Sequence, residues 1–193
     1  MNRRLSRLVF ACAAFAESGA VIGADVFEID SPKSHANFEV KVMWLVNVHG
    51  DFGAVKGSLT VDRFRGSANV EADIDADDLH MRTHSHETWA KSVEFFDSAH
   101  FPKIHFSSAS FPLARLAAGG EIEGTLTLRG VEQPIRLTVD AADCKDPLSG
   151  ECAVEAWGAI HRSEFGMQSR RGALSDKVQL RLSAFVKPLP TEK

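Results

Sequence analysis

Apolar residues recur at every second position through most of this chain, and that rhythm limits the fold more than any other feature. Phe38, Val40, Val42 and Trp44 alternate with Asn37, Glu39, Lys41 and Met43. Val55, Gly57, Leu59 and Val61 alternate with Lys56, Ser58, Thr60 and Asp62, and Ala68, Val70, Ala72, Ile74 and Ala76 continue the pattern after an Arg65-Gly66 turn. Successive side chains of a strand point to opposite faces, so each run reads as a strand with one apolar face. Further runs follow at Ile104 and Phe106; at Ile122, Gly124, Leu126 and Leu128; and at Ile135, Leu137 and Val139. The last two set Val154, Ala156, Gly158 and Ile160 against Glu155, Trp157, Ala159 and His161, and Val178, Leu180, Leu182, Ala184 and Val186 against polar neighbours.

The alternation stops between Asp77 and Ile104. Asp77 or Asp78 is suited to capping a helix, and Thr83 to Phe96 places Trp89, Val93 and Phe96 four and three residues apart. One short helix is expected there. It runs into Ser92 to Phe106, the one dense aromatic stretch of a chain that has no tyrosine.

Seven to nine strands with short connections and one helix predict an all-β fold, an antiparallel lipocalin-like barrel of about eight strands. Closure removes the exposed edges that so many strands would otherwise present. A barrel of that size is either filled by side chains or holds one small ligand. Small inward residues (Gly57, Ala68, Ala72, Gly124, Ala156, Gly158) point to the second, by leaving interior volume open.

The length of 193 residues suits one domain, with the barrel over 25–188 and a disordered tail over 189–193. Residues 1–24 read as a signal peptide: Arg3, Arg4 and Arg7 precede a short apolar run from Leu8 to Ala16, then small residues. Cys12 raises a lipoprotein alternative, which the bulky Phe10 and the short apolar run disfavour. A periplasmic or secreted location is therefore expected. The formal charge is −4, and the basic leader makes the remainder more acidic still, which argues against nucleic acid or an anionic membrane as the main partner. In an oxidising compartment, Cys144 and Cys152 across the turn-rich Lys145 to Glu151 are expected to form a disulfide.

A set of ordered motifs resembles the YceI-like family of periplasmic, lipocalin-like proteins. These are Phe27-x-Ile29-Asp30, Ser34-His35-x-x-Phe38-x-Val40, Gly50-x-Phe52-x-x-Val55-x-Gly57, and Phe95-Phe96-Asp97 with Phe101-Pro102-x-Ile104-x-Phe106-x-Ser108. Gly124-x-Leu126-x-Leu128-x-Gly130-Val131, Arg162-Ser163-x-Phe165-Gly166-Met167 and Asp176-x-Val178-x-Leu180 complete the series. The chain departs from the family pattern at Phe27, at His80 to His86 and at Trp89. The resemblance implies an extended barrel holding a long isoprenoid or fatty-amide chain, with no enzymatic activity and no cofactor.

The expected function is binding or transport of a long-chain amphiphile, such as a polyisoprenoid or an isoprenoid quinone or its precursor. The alternatives are a scavenger of small hydrophobic compounds in the periplasm under stress, and a structural protein with a filled barrel. Candidate ligand-binding residues are Phe38, Val40, Val42, Phe95, Phe96, Phe106, Leu126, Leu128 and Leu137 in the interior, with Phe165, Met167 and Arg170 in the polar loop that follows. Each interior residue reads equally well as simple core.

Arg170 and Arg171 are suited to a phosphate, carboxylate or amide head group, whereas Arg162 is expected to pair with Asp97 or Glu94. His80 and His84 have helical ligand spacing, but a solvated surface is the simpler reading of His80, His84 and His86. Ser163, His161 and Asp176 supply the letters of a hydrolase triad without a nucleophile elbow. Beyond a hydrophobic small-molecule ligand, transient contact with a membrane protein or bilayer surface and homodimer formation are left open.

Overall fold

The computed structural model describes residues 24–189. The expected leader, and the tail beyond Leu189, lie outside the described residues. Thirteen strand segments form where the sequence pattern suggested about eight strands. They are β1 (Asp25–Ile29), β2 (His35–Val42), β3 (Val46–Phe52), β4 (Val55–Asp62), β5 (Ser67–Asp75), β6 (Leu79–Met81) and β7 (Lys103–Ser108). After them come β8 (Phe111–Pro112), β9 (Gly120–Leu128), β10 (Val131–Val139), β11 (Val154–His161), β12 (Leu174–Ala184) and β13 (Val186–Pro188). All pair antiparallel in one curled sheet, ordered β13-β1-β4-β5-β7-β9-β10-β11-β12-β2-β3-β6, with β8 alongside β5.

The higher count has a physical cause, because bends divide long strands into segments that follow one another. A 3-10 turn at Ser31–Lys33, carrying Pro32, separates β1 from β2, and Phe185 alone separates β12 from β13. The two bends meet. Ser34 Oγ accepts the Phe185 N–H at 2.9 Å, so the donor lost from the ladder at the break is satisfied by a buried hydroxyl. The sheet therefore curls until its last strands meet its first: Leu182 pairs with Ala36, and Val186 with Ile29.

Four segments, β1, β3, β6 and β8, add to the strands expected from the sequence. β3 is paired with β2 from Ala36↔Phe52 to Val42↔Val46, and β6 pairs with β3 from Gly50↔Met81 to Phe52↔Leu79. Trp44, read as the end of a strand, instead sits in the β2–β3 turn and is 69% exposed.

The helix is also shorter than expected. α1 spans His84–Lys91, begun by Thr83, whose Oγ1 accepts from the His86 N–H at 3.3 Å, and not by Asp77 or Asp78. It stops because Ser92 is extended and returns its hydroxyl to the Trp89 carbonyl at 2.7 Å. Val93 thus faces solvent, which breaks the expected Trp89–Val93–Phe96 stripe. A second, four-residue helix, α2 (Arg115–Ala118), occupies what read as a plain turn.

The barrel-like interior holds two apolar clusters. One surrounds Phe38, Phe52, Phe95, Phe106 and Leu126 beneath α1. The other gathers Phe27, Leu59, Val61, Phe111, Leu116 and Leu148 toward the opposite end. Cys144 and Cys152 are disulfide-bonded with Cα atoms 6.0 Å apart, around the 3-10 turn Pro147–Ser149. The bridge tethers the turn that presents Leu148 to the second cluster. Cutting it with Cys144→Ser and Cys152→Ser together should cost about 2–3 kcal/mol, the loop-closure value for so short a ring. Chemical denaturation of oxidised protein and of the double variant checks this.

Candidate functional site

The inward faces of the strands enclose an apolar cavity of about 150 Å³. Its wall follows the period-two pattern: Ala36, Phe38 and Val40 from β2, Ala72 and Ile74 from β5, Ile104 and Phe106 from β7. Leu126 and Leu128 of β9, Ile135 and Leu137 of β10, Ala156 and Ile160 of β11, and Val178, Leu180 and Leu182 of β12 continue it, with Phe52 of β3, while Asn37 and Arg181, paired across β2 and β12, are out of phase with it. Met167 and Leu174 close part of the wall from the loop before β12.

Phe95 and Phe96 enter from the segment after α1. Their direction is set by a tight, non-helical turn, in which Phe96 N–H bonds to the Ala90 carbonyl at 2.9 Å and Asp97 takes φ 49°. Phe96 packs edge-on to Phe52 with centroids 5.4 Å apart and lies 5.5 Å from Phe38; Phe95 packs edge-on against Trp89 at 4.5 Å. The aromatic stretch is a plug in the wall, held by α1.

Of the candidate residues, Phe38, Val40, Phe95, Phe96, Phe106, Leu126, Leu128, Leu137 and Met167 line the cavity. Three others are placed elsewhere. Val42 lies beyond the cavity wall and only packs at the margin of the first cluster. Phe165 is 1% exposed, turned into solid core by the 3-10 turn Arg162–Phe165. Arg170 is on the outside, 5.4 Å over the Trp89 ring and 4.0 Å from the Glu94 carboxylate.

The small residues do less to open the interior than their size suggests. A Cβ on Gly124 would lie 2.5 Å from the Phe106 ring, and one on Gly50 would collide with Phe38. These glycines let aromatic rings lie flat against the wall, and the rings take up the space. Only Ala72 and Ala156 among the small candidates face the main cavity. A second apolar cavity of about 70 Å³ lies toward Phe111, Leu116 and Val186. Ala72, Phe106, Leu137, Ala156 and Leu182 line both cavities, so they form a waist in one elongated apolar interior.

Arg162 is the buried cation of the site. It is 2% exposed, lines the cavity, and meets neither Asp97 nor Glu94. Its guanidinium donates instead to four backbone carbonyls: Met167 at 2.6 Å, Ser169 at 2.8 Å, Ser175 at 3.0 Å and Leu174 at 3.3 Å. Burial lowers its pKa, and Asp176 opposes that shift. The planar, five-donor head is suited to gathering several carbonyls, and here it ties together the loop between β11 and β12.

Ser163, His161 and Asp176 do converge, but not as a triad. Ser163 donates both its hydroxyl (2.8 Å) and its N–H (3.0 Å) to Asp176, while His161 Nδ1 stands 3.4 Å from the same carboxylate. The serine is bonded to the acid and has no base poised on it. Burial pulls the Asp176 carboxyl up, but the Ser163 hydrogen bonds, with His161 and Arg162 nearby, hold it below the usual carboxylate value. The histidines before the aromatic plug also have separate acidic neighbours: His80 meets Asp78 at 3.1 Å, and His84 meets Glu87 at 3.6 Å.

A YceI-like domain family model matches residues 27–185, which spans the curled sheet and its cavity. The chain belongs to the YceI-like family. YceI of Salmonella agona is 29% identical over 188 residues, covering 95% of this chain and 96% of that protein. Among solved structures, Burkholderia cenocepacia BcnA superposes with a TM-score of 0.67 at 18% identity, covering 81% of this chain and 98% of BcnA. A polyisoprenoid-binding domain from Saccharophagus degradans, implicated in plant cell wall breakdown, gives 0.62 at 16% identity, covering 84% and 98%. These likenesses establish the curled antiparallel architecture. Within this YceI-like chain, Trp89 is a hydrogen-bond donor to Glu94 at 3.1 Å and a platform for Arg170, so it fastens the aromatic plug to the loop before β12.

Proposed function

We propose that this protein binds and carries a long-chain amphiphile, of the polyisoprenoid, isoprenoid quinone or fatty-amide kind, in the interior of its curled sheet, without catalysis. The observation that carries this reading is the elongated apolar interior, whose two cavities of about 150 and 70 Å³ share a five-residue waist. Its wall is almost wholly hydrocarbon, and an apolar cavity of such a kind stays dry until an apolar guest enters. Burial of each methylene contributes about 0.8 kcal/mol, so affinity grows with the length of tail taken in. The likeness to a polyisoprenoid-binding domain supports the same cargo class. A tail that runs the full length displaces Phe106 or Leu137 at the waist. The disulfide supports an exported, periplasmic or secreted protein, since such bonds persist in oxidising compartments.

A second reading, capture of small hydrophobic compounds, is favoured by the present size of the main cavity, which suits a single-ring guest. Native mass spectrometry of protein purified without detergent separates the two. A defined long-chain lipid retained at one per protein is the expected result. Heterogeneous weak adducts favour the second reading, and a bare mass after incubation with prenyl alcohols of graded length contradicts both.

A further inference from the structure

The β2–β3 turn presents the largest contiguous run of exposed apolar side chains among the described residues: Met43 is 61% exposed, Trp44 69%, Leu45 88% and Val46 58%. Its backbone makes this composition costly. Met43 and Trp44 take φ 49° and 63°, and the Leu45 N–H bonds back to the Val42 carbonyl at 3.1 Å. Positive φ at both central residues is the geometry that Asn-Gly adopts readily and that large side chains resist. A tight turn by itself needs neither the methionine nor the tryptophan, so their side chains are being held outward against the conformational preference of their own backbone.

The surroundings are cationic. The Met43 N–H bonds to the Ala173 carbonyl at 2.7 Å, which sets the turn beside the loop bearing Arg170 and Arg171. Lys41 lies on the adjoining strand end, opposite Asn47. Arg170 is engaged with Glu94, whereas Lys41 and Arg171 have no acidic partner within 4.0 Å among the described residues. The turn also adjoins the larger cavity. Val42 pairs with Leu174, and Leu174 and Val40 both line the wall. The other exposed aromatic turn residue, Phe64, stands alone between Arg63 and Arg65, which are paired with Asp25 and Asp62.

We propose that the Met43–Val46 turn docks the protein on a lipid bilayer, its apolar tip entering the acyl boundary and Lys41 and Arg171 facing anionic head groups. A tryptophan beside two aliphatic residues and flanking cations is the composition of an interfacial anchor. The proposal names the partner surface for the binding function above, and rests on that reading only for its purpose. Docking at this end sets the larger cavity against the bilayer, where a lipid tail enters or leaves.

Flotation of the purified protein with vesicles of phosphatidylglycerol and phosphatidylethanolamine, and separately of phosphatidylcholine, tests it, with bound lipid measured in parallel on each sample. Trp44→Ser and Leu45→Ser are each expected to lower vesicle partitioning about tenfold, the effect of withdrawing one well-buried apolar side chain. Phe64→Ser should leave partitioning unchanged, and Arg171→Gln should weaken binding to the anionic vesicles alone. Equal partitioning of wild type and both tip variants, or no partitioning by the wild type, overturns the proposal. So does a change from dimer to monomer in the tip variants without loss of vesicle binding, which would make the turn a contact between copies. Tip variants that lose vesicles while retaining their cargo support docking with the binding function intact. A protein that never holds lipid yet binds vesicles through the turn keeps the docking and removes the cargo.

Discussion

Ala156→Phe is expected to remove the affinity that long-chain ligands gain over short ones, while short amphiphiles bind as before. Ala156 lies at the waist, on the wall of both cavities, beside Ala72, Phe106, Leu137 and Leu182. A ring placed there fills the waist, so that Phe106 and Leu137 can no longer give way to a tail crossing from the larger cavity to the smaller. A five-carbon isoprene unit excluded from the far side forfeits about 4 kcal/mol of burial at most, about 0.8 per carbon. Even a quarter of that weakens binding several-fold, and a longer excluded segment forfeits more. The fold should tolerate the change, because the ring enters existing space and overpacking costs typically 1–3 kcal/mol where no space exists. Titration with prenyl alcohols of increasing length checks it: affinity rises with length in the wild type and reaches a plateau in the variant.

The second large effect falls on stability. Arg162→Met should destabilise the protein by about 3–5 kcal/mol, lowering its melting temperature by roughly 10 °C. The methionine fills part of the volume, but Met167, Ser169, Leu174 and Ser175 lose the donor to which their carbonyls are tied. Buried acceptors left unpaired cost more than the hydrogen bonds themselves contribute. Arg162→Lys should recover little, since an ammonium supplies three donors without the planar fork. Thermal unfolding of the variants provides the measurement, and loss of Met167 and Leu174 from the cavity wall should weaken ligand retention with it.

The inward face of each strand was legible because a period of two is a direct consequence of the pleat, and the wall residues from Phe38 to Leu182 obey it. What escaped the pattern is instructive. Trp44 continued the alternation by residue type, yet the chain reverses at Met43 through a turn made without glycine or asparagine, so no local signal marked it. β3 carries the same alternation, Val46, Val48, Gly50 and Phe52 against Asn47, His49 and Asp51, but it follows the unmarked turn so closely that it does not separate from the run before it. Glycine there is required by the Phe38 ring, a contact made across strands and invisible in either segment alone. The same limit applies to the arginines. Arg162 and Arg170 are equally charged and close in sequence, and only the fold of the loop between β11 and β12 decides that one is buried among carbonyls and the other lies over Trp89. A single serine overrules the helix propensity of Thr83 to Phe96: the Ser92 hydroxyl returns to the Trp89 carbonyl and ends α1.

The central claim is that the elongated interior takes in an aliphatic tail. A prenyl ligand bearing a photoreactive diazirine at its tail end, cross-linked to the protein and mapped by peptide sequencing, tests it most directly. Labelling is predicted on residues of the far cavity beyond the waist, such as Leu116, Val139 or Val154. Labelling confined to the exposed Met43–Val46 turn, or spread evenly over the surface, would contradict it.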